Sequence, residues 1–332
     1  MMTDARPSTT VHWLIALRMP IILLALVVAA TILTDGRFAR LDNIINVMRQ
    51  VSFEALIAFG MTLVIVTGGI DLSVGSLVAL TGVVAAVAMR ATLEWSPVAS
   101  IAVGLVCGVA TGAAIGACSG VIIARFSVPP FIVTLAAMLI ARGLAFILCS
   151  GQPVYELCDE FRWLGRGFIF ESALGRLIPV PVLIMLCAYG ATAVLLSRTV
   201  FGRGVIAVGS NEEAARLAGI AVRRTKLMVY LITGALAGLA GVLQDAKLMA
   251  GDPKVGEMWE LNVIAAVVVG GTSLFGGRGS VTGTLVGALI IGTLNNSLNL
   301  MHVEHFWQKV VLGGVILSAS LIDAGLRRLQ PR

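Results

Sequence analysis

Hydrophobic positions in this chain fall in long runs, not in the alternation of a half-buried strand or the narrow stripe of a surface helix. Ten runs approach the roughly 20 residues a helix needs to cross a bilayer: 14–33, 51–69, 72–89, 98–124, 128–149, 177–196, 227–247, 260–275, 279–300 and 306–325. The runs 98–124 and 177–196 contain no charged residue. The second and third are divided only by Gly68-Gly69, and the eighth and ninth by Gly276-Gly277. Irregular backbone at membrane depth is tolerated only against protein or a water-filled cavity. Both breaks are therefore candidate parts of an internal path. The pattern predicts an all-α polytopic membrane protein of about ten transmembrane helices, with residues 1–332 forming one transmembrane domain.

Composition excludes the other classes. Of 332 residues, 58% are hydrophobic and 13% charged, with a mean hydropathy of +0.97. A soluble domain carries about a quarter of its residues as charges, and disorder needs low hydrophobicity. Aromatic content of 6% is low for the two girdles of an outer-membrane barrel. The 37 glycines suit helices that approach closely within a bilayer.

The net charge of +6 does not imply nucleic acid, because the positive residues sit mostly between apolar runs, where orientation signals belong. The connection 198–226 has a net charge of +4, its neighbours 156–176 and 245–260 have −1 and −2. Positive loops stay in the cytoplasm, which places both termini inside and the segment 150–176 in the periplasm. Arg37, Arg40 and Arg49 lean the other way. The five cysteines form no C-x-x-C pair and read as packing residues, although Cys149 and Cys158 share the outer side and a bridge between them is an alternative.

An internal repeat is suggested by Gly68-Gly69-Ile70-Asp71-Leu72 and Gly270-Gly271-Thr272-Ser273-Leu274, its sense left open. Gly-interrupted segments in corresponding halves point to a translocation path. The candidate lining comprises Gly68, Gly69, Asp71, Ser73, Gly270, Gly271, Thr272 and Ser273, together with the intramembrane charges Glu54 and Arg142. Asp71 either shapes the path or caps the following helix with Ser73. Glu54 and Arg142 either pair with each other or face the lumen, and the alternative favoured by the residues alone is a snorkelling Glu54 near a helix end and a structural ion pair for Arg142.

The cytoplasmic connection reads as a short helix over 210–219. Ser210 and Glu213 form a capping box, Glu212 and Arg216 an i,i+4 pair, and Gly219 the stop. Within Ser210-Asn211-Glu212-Glu213-Ala214-Ala215-Arg216-Leu217-Ala218-Gly219, the face of Ala214, Leu217 and Ala218 is small. A lipid-gripping helix carries larger apolar residues, so docking onto a protein partner is favoured. No phosphate-binding G-x-x-x-x-G-K-[ST] loop or HExxH metal motif occurs. His302 and His305 beside Glu304 read as an exposed polar loop, and no metal site is expected. Neither an enzymatic cluster nor the carboxylate series of an ion-coupled secondary transporter is evident, though a stand-alone transporter of a small polar solute is the alternative.

Four runs carry a resemblance: TLVIVTGGIDLSVGSLVAL (62–80), VPPFIVTLAAMLIARGLA (128–145), GRGVIAVGSNEEAARLAGI (202–220) and AAVVVGGTSLFGGRGSVTGTLVGALI (265–290). Together, and in this order, they resemble the permease subunits of ATP-binding-cassette sugar importers, in the branch of ribose, allose, xylose and autoinducer-2 permeases. The resemblance covers about 45–325. It implies about ten helices, a bacterial inner-membrane location and a non-catalytic role in moving a ribose-like sugar. It also implies a second permease copy, identical or paralogous, cytoplasmic ATPase subunits that hold ATP and magnesium, and a periplasmic sugar-binding protein. No cofactor is expected on this chain itself, and 210–219 would be the helix that couples it to the ATPase.

Overall fold

The computed structural model describes residues 9–169, 171–172, 175–176 and 178–328. The other residues, including Arg332 and part of the outer segment 150–176, lie outside the described set. The chain is helical: α1 Thr9–Leu33, α2 Leu41–Val66, α3 Val74–Arg90, α4 Pro97–Phe126, α5 Pro130–Leu148, α6 Arg162–Arg166, α7 Val180–Arg198, α8 Val200–Ser210, α9 Glu212–Leu217, α10 Val222–Leu248, α11 Trp259–Val269, α12 Val281–Leu300 and α13 His305–Arg328. A two-residue antiparallel ladder joins β1 Glu171–Ser172 to β2 Gly175–Arg176. Six helices (α2, α4, α5, α7, α10 and α12) are long and apolar enough to cross a membrane, and shorter apolar helices accompany them. Large apolar side chains such as Ile32, Leu139, Ile147, Val194 and Val310 are exposed around the periphery. This is a multi-pass membrane protein.

Helix starts follow local chemistry. Pro97 opens α4 where no amide donor is needed, and the Ser96 hydroxyl accepts from Ala99 N–H. Ser280 caps α12 by accepting from Gly283 N–H at 3.3 Å. The centre is α2 and α10. From Ala55 to Val66 every residue of α2 is buried, so this helix is surrounded by protein. Its threonines stay satisfied: Thr62 donates to Ala58 O and shares a 2.7 Å hydroxyl bond with Thr284 of α12. Asn43 and Asn296 exchange two amide hydrogen bonds between the same helices.

The closest packing is between α4 and α10. Gly104, Gly108, Gly112, Gly116 and Gly120 recur every fourth residue along one face of α4. A Cβ added at Gly120 would lie 2.9 Å from Leu227 Cα, and Gly112 and Gly116 abut the backbone of α10 around Gly234. Small residues at this spacing let two backbones meet and maximise dispersion contact without a hydrophobic drive.

Registers set the directions. Gly60 lies against Thr233, and Gly69 against Tyr230, so α2 is antiparallel to α10. Gly241 of α10 meets Val78 O and Thr81, and Gly82 meets Asp245, so α3 runs parallel to α10. Gly287 abuts Ala266, and Gly270 abuts Gly283, so α12 returns antiparallel to α11.

Four sequence expectations change. The eighth run is interrupted: α11 has 11 residues, about 16 Å and half a bilayer. Asp245 and Lys247, assigned to an outer connection, lie within α10. The loop that remains, 249–258, has Asp252 and Glu257 against Lys254, a net of −1. Arg49 belongs to α2 and stacks over the Phe168 ring at 5.0 Å, rather than lying in a connecting loop. All five cysteines are free, and the Cys149 thiol donates to Ala145 O, so Cys149 and Cys158 form no bridge.

Candidate functional site: two broken helices that meet

The first break is 67–73. Thr67 closes α2, Gly68 takes a left-handed φ of +79°, and the chain enters α3 at Val74. Asp71 is completely buried. Its Oδ1 accepts from Ser73 N–H at 2.9 Å and from the Ser73 hydroxyl at 2.6 Å. This Asx turn sets the entry angle of α3, and the Ser73 carbonyl then accepts from Leu77 N–H. The Tyr230 hydroxyl of α10 presses on Gly69, where a Cβ would sit 2.5 Å from it. Asp71 Oδ2 and Tyr230 Oη are both buried without a hydrogen-bond partner among the described residues.

The second break is 249–258. Met249 leaves α10 with φ +60°, and Met258 enters α11 with φ +65°. Gly251 and Val154 exchange two 2.9 Å backbone bonds, which ties the loop to the outer segment. Asp252 Oδ1 accepts from Lys254 N–H at 2.9 Å, the same turn that Asp71 makes. Asp71-Leu72-Ser73-Val74-Gly75 thus corresponds to Asp252-Pro253-Lys254-Val255-Gly256. The terminal glycines touch: Gly256, with φ +74°, packs on the Gly75 carbonyl, and a Cβ on it would be 3.2 Å from Val78. Val78 is level with Gly241, which puts this contact about two turns before the end of α10. The second break therefore re-enters about 10 Å from the end of α10.

This geometry settles the repeat. The unit α2–break–α3 and the unit α10–break–α11 begin with antiparallel helices and enter from opposite ends, so the repeat is inverted. The sequence pairing of Gly68–Leu72 with Gly270–Leu274 is replaced. Gly270, Gly271, Thr272 and Ser273 form the turn from α11 to α12, with Gly271 at φ +88° and Ser273 N–H donating to Arg278 O. This turn sits beside the first break: Gly277 N–H donates to Val66 O at 2.9 Å, and a Cβ on Gly276 would be 3.0 Å from Gly68 N. Thr272 and Ser273 are buried.

Helix α5 holds both breaks. Thr134 Oγ1 donates to Ile70 O at 3.2 Å. Two turns further on, Arg142 Nη1 donates to Pro253 O at 2.6 Å and Val255 O at 2.8 Å. Arg142 therefore does not pair with Glu54. Glu54 accepts instead from Asn262 Nδ2 of α11 at 3.3 Å.

The connection 198–226 also differs in detail from its sequence reading. Ser210 ends α8 and donates back to Ile206 O, so it is not the cap. Asn211 caps α9, accepting from Ala214 N–H at 2.9 Å. Glu212 pairs with Lys226 at 2.7 Å rather than with Arg216, which lies 3.7 Å from Glu213. Gly219, at φ +82°, stops the helix as expected. Ala215 is buried among Val208 and Val222, whereas Ala214, Ala218 and Leu217, the last 82% exposed, point away from the bundle. Gly209 of α8 fits directly against the Val66 carbonyl and Gly277 N. The exposed helix thus begins three residues after the Gly209 contact beside the first break.

Residues 43–320 match the family model of the branched-chain amino acid transport system, permease component. The chain belongs to this permease family. It is 45% identical over 324 residues to the ribose import permease protein of Escherichia coli (strain K12), covering 96% of this chain and 97% of that one. It is 46% identical to the Bacillus subtilis (strain 168) ribose import permease, covering 91% and 90%. The L-arabinose ABC transporter permease of Azospirillum brasilense is 40% identical, covering 96% and 91%. No solved structure matches.

Sequence reasoning missed several residues of this permease. Thr134 sits in an unremarkable apolar run, and nothing local marks it as a clamp. Asp245, 2% exposed, was counted as a loop charge, although Gly82 and Gly251 make room for its carboxylate on α3 and the outer loop. The Asp-x-x-Val-Gly spacing was available in the sequence, but Pro253 and Lys254 conceal it beside the more similar Gly-Gly pair.

Proposed function

We propose that this permease is the transmembrane subunit of an ATP-binding-cassette importer that carries a monosaccharide, a ribose-like pentose or related sugar. The near full-length identity to ribose import permeases carries this reading. The solute follows a path past the two breaks, with Gly68, Gly69, Asp71 and Ser73 at the inner one, Gly270–Ser273 behind it, and Glu54 and Arg142 on the outer side. In the bacterial inner membrane, ten apolar helices cross or enter the bilayer with both termini and 198–226 in the cytoplasm. Two permease copies assemble with cytoplasmic ATPase subunits, which hold ATP and magnesium, and a periplasmic protein delivers the sugar. This chain binds no cofactor and catalyses no reaction.

The coupling step follows from α9. Its exposed Ala214, Leu217 and Ala218 seat in the ATPase, and α8 passes displacement to Val66 and Gly277 through Gly209. The test is deletion of the gene and measurement of labelled ribose, arabinose and xylose uptake. Loss of uptake of one pentose, restored by the intact gene, is expected. Unchanged uptake of all three overturns the sugar assignment. Replacement of Ala218 by Trp should prevent co-purification of the ATPase, because a packed groove has little void for the extra volume.

A further inference from the structure

The outer halves of α2, α12 and α13, with the start of α11, surround a cavity of about 440 Å³. That volume is within the range of small-molecule sites. Its polar lining comes from four elements: Gln50 and Glu54 of α2, Asn262 of α11, Asn295 and Asn299 of α12, and Gln308 and Lys309 of α13, with Trp259 at the entrance to α11. The floor is continuous with the outer break, since Glu257, Met258 and Trp259 follow Gly256 directly. The half-height of α11 therefore places this lining immediately above the Gly75–Gly256 contact.

The chemistry narrows the ligand. Carboxamides at membrane depth are costly against hydrocarbon, so this surface faces water or a polar solute. Each carboxamide both donates and accepts, as each sugar hydroxyl does. The internal bonds orient these groups without consuming them. Asn262 donates to Glu54 Oε1, and Gln308 Nε2 donates to Asn299 Oδ1 at 2.8 Å, which turns the Asn299 amide donors elsewhere. No hydrogen bond among the described residues occupies Asn295. Lys309 offsets one of the two carboxylates, Glu54 and Glu257, so the lining carries a net charge of −1, which disfavours an anion and is a poor cage for a cation. The Trp259 ring supplies an apolar surface for the C–H face of a ring.

We propose that this cavity is the outward-facing reception site for a neutral polyhydroxyl solute, with Glu54, Asn262 and Asn295 as its hydrogen-bonding side chains and Trp259 as its platform. The proposal rests on the sugar-importer reading and assigns it a site. Solute enters here from the outside and reaches the junction of the breaks when the outer loop moves.

The test uses the full transporter in cells lacking the native gene, with equal amounts of each variant in the membrane. Glu54→Gln, Asn262→Leu and Asn295→Leu should each raise the half-saturating concentration for pentose uptake several-fold. Trp259→Ala should raise it as the Leu variants do, and Trp259→Phe, which keeps an aromatic face, should raise it less. In an otherwise cysteine-free chain, Asn295→Cys should react with a membrane-impermeant maleimide from outside, and saturating pentose should slow that reaction. Uptake curves unchanged in all the polar variants, or maleimide labelling indifferent to pentose, overturn the cavity assignment while native uptake upholds the importer reading. A native chain that imports none of the three pentoses overturns the importer reading itself.

Discussion

The two broken helices share a turn and a spacing but are held in opposite ways. The inner break depends on shape. Asp71 is sealed from solvent, Tyr230 presses on Gly69, and among the described residues α5 offers this break one side-chain bond, the 3.2 Å contact of Thr134 with Ile70 O, shared with the 3.0 Å bond of the same hydroxyl to Pro130 O. The outer break depends on strong bonds: two short ones from a guanidinium and a two-bond backbone pair with Val154. Charge-assisted bonds are roughly twice as strong as neutral ones. The inner break is also the one that α8 touches through Gly209. An inverted repeat therefore need not give two equivalent gates. The weakly bonded half is next to the exposed helix α9, and the firmly bonded half is tied to the segment around Val154.

The largest effect is expected where the halves meet. Gly256→Leu adds a side chain at φ +74° against the Gly75 carbonyl, a left-handed conformation that alone costs about 1–2 kcal/mol. Uptake should fall to background, with a lowered melting temperature in detergent. Native-like uptake would show that the contact is not required. Arg142→Met should come next. It strands two carbonyls at a cost of about 2–5 kcal/mol, so uptake should drop at least about tenfold, a loss of 1.4 kcal/mol. Arg142→Lys should recover part of this, because one ammonium still reaches a carbonyl.

Asp71 separates turn from charge. Asp71→Ala removes both bonds to Ser73 and should slow uptake severalfold, whereas Asp71→Asn keeps the acceptor and should transport almost normally. A large loss in the Asn variant would assign the carboxylate a role of its own. The smallest effect is expected from Thr134→Val, which removes one long bond worth about 1 kcal/mol. A loss equal to that of Arg142→Met would erase the contrast between the halves.

Much of the architecture was legible in advance because hydrocarbon imposes strict rules on sequence. Apolar runs predicted every long helix, and the Gly68 break was located to within a few residues. The start of α9 was displaced by one residue because Ser210 and Asn211 are both good caps, and α8, whose last residue is Ser210, leaves only Asn211 in extended geometry. The second break was misplaced by about twenty residues. Gly270-Gly271 looks like Gly68-Gly69, yet glycine pairs serve an end turn as readily as a mid-membrane break. Local sequence carries no measure of depth.

Membrane residence, helical class and a short capped helix on a basic connection were determined by the sequence alone, since each depends on hydropathy, charge and capping within a few residues. Tertiary structure decided what lies at a distance in the chain: that Arg142 clamps carbonyls 253 and 255 and not Glu54, that Gly75 meets Gly256, and that α11 starts halfway through the bundle. These contacts join residues more than a hundred positions apart, and they arise because buried backbone groups freed from a helix must find partners wherever packing brings them.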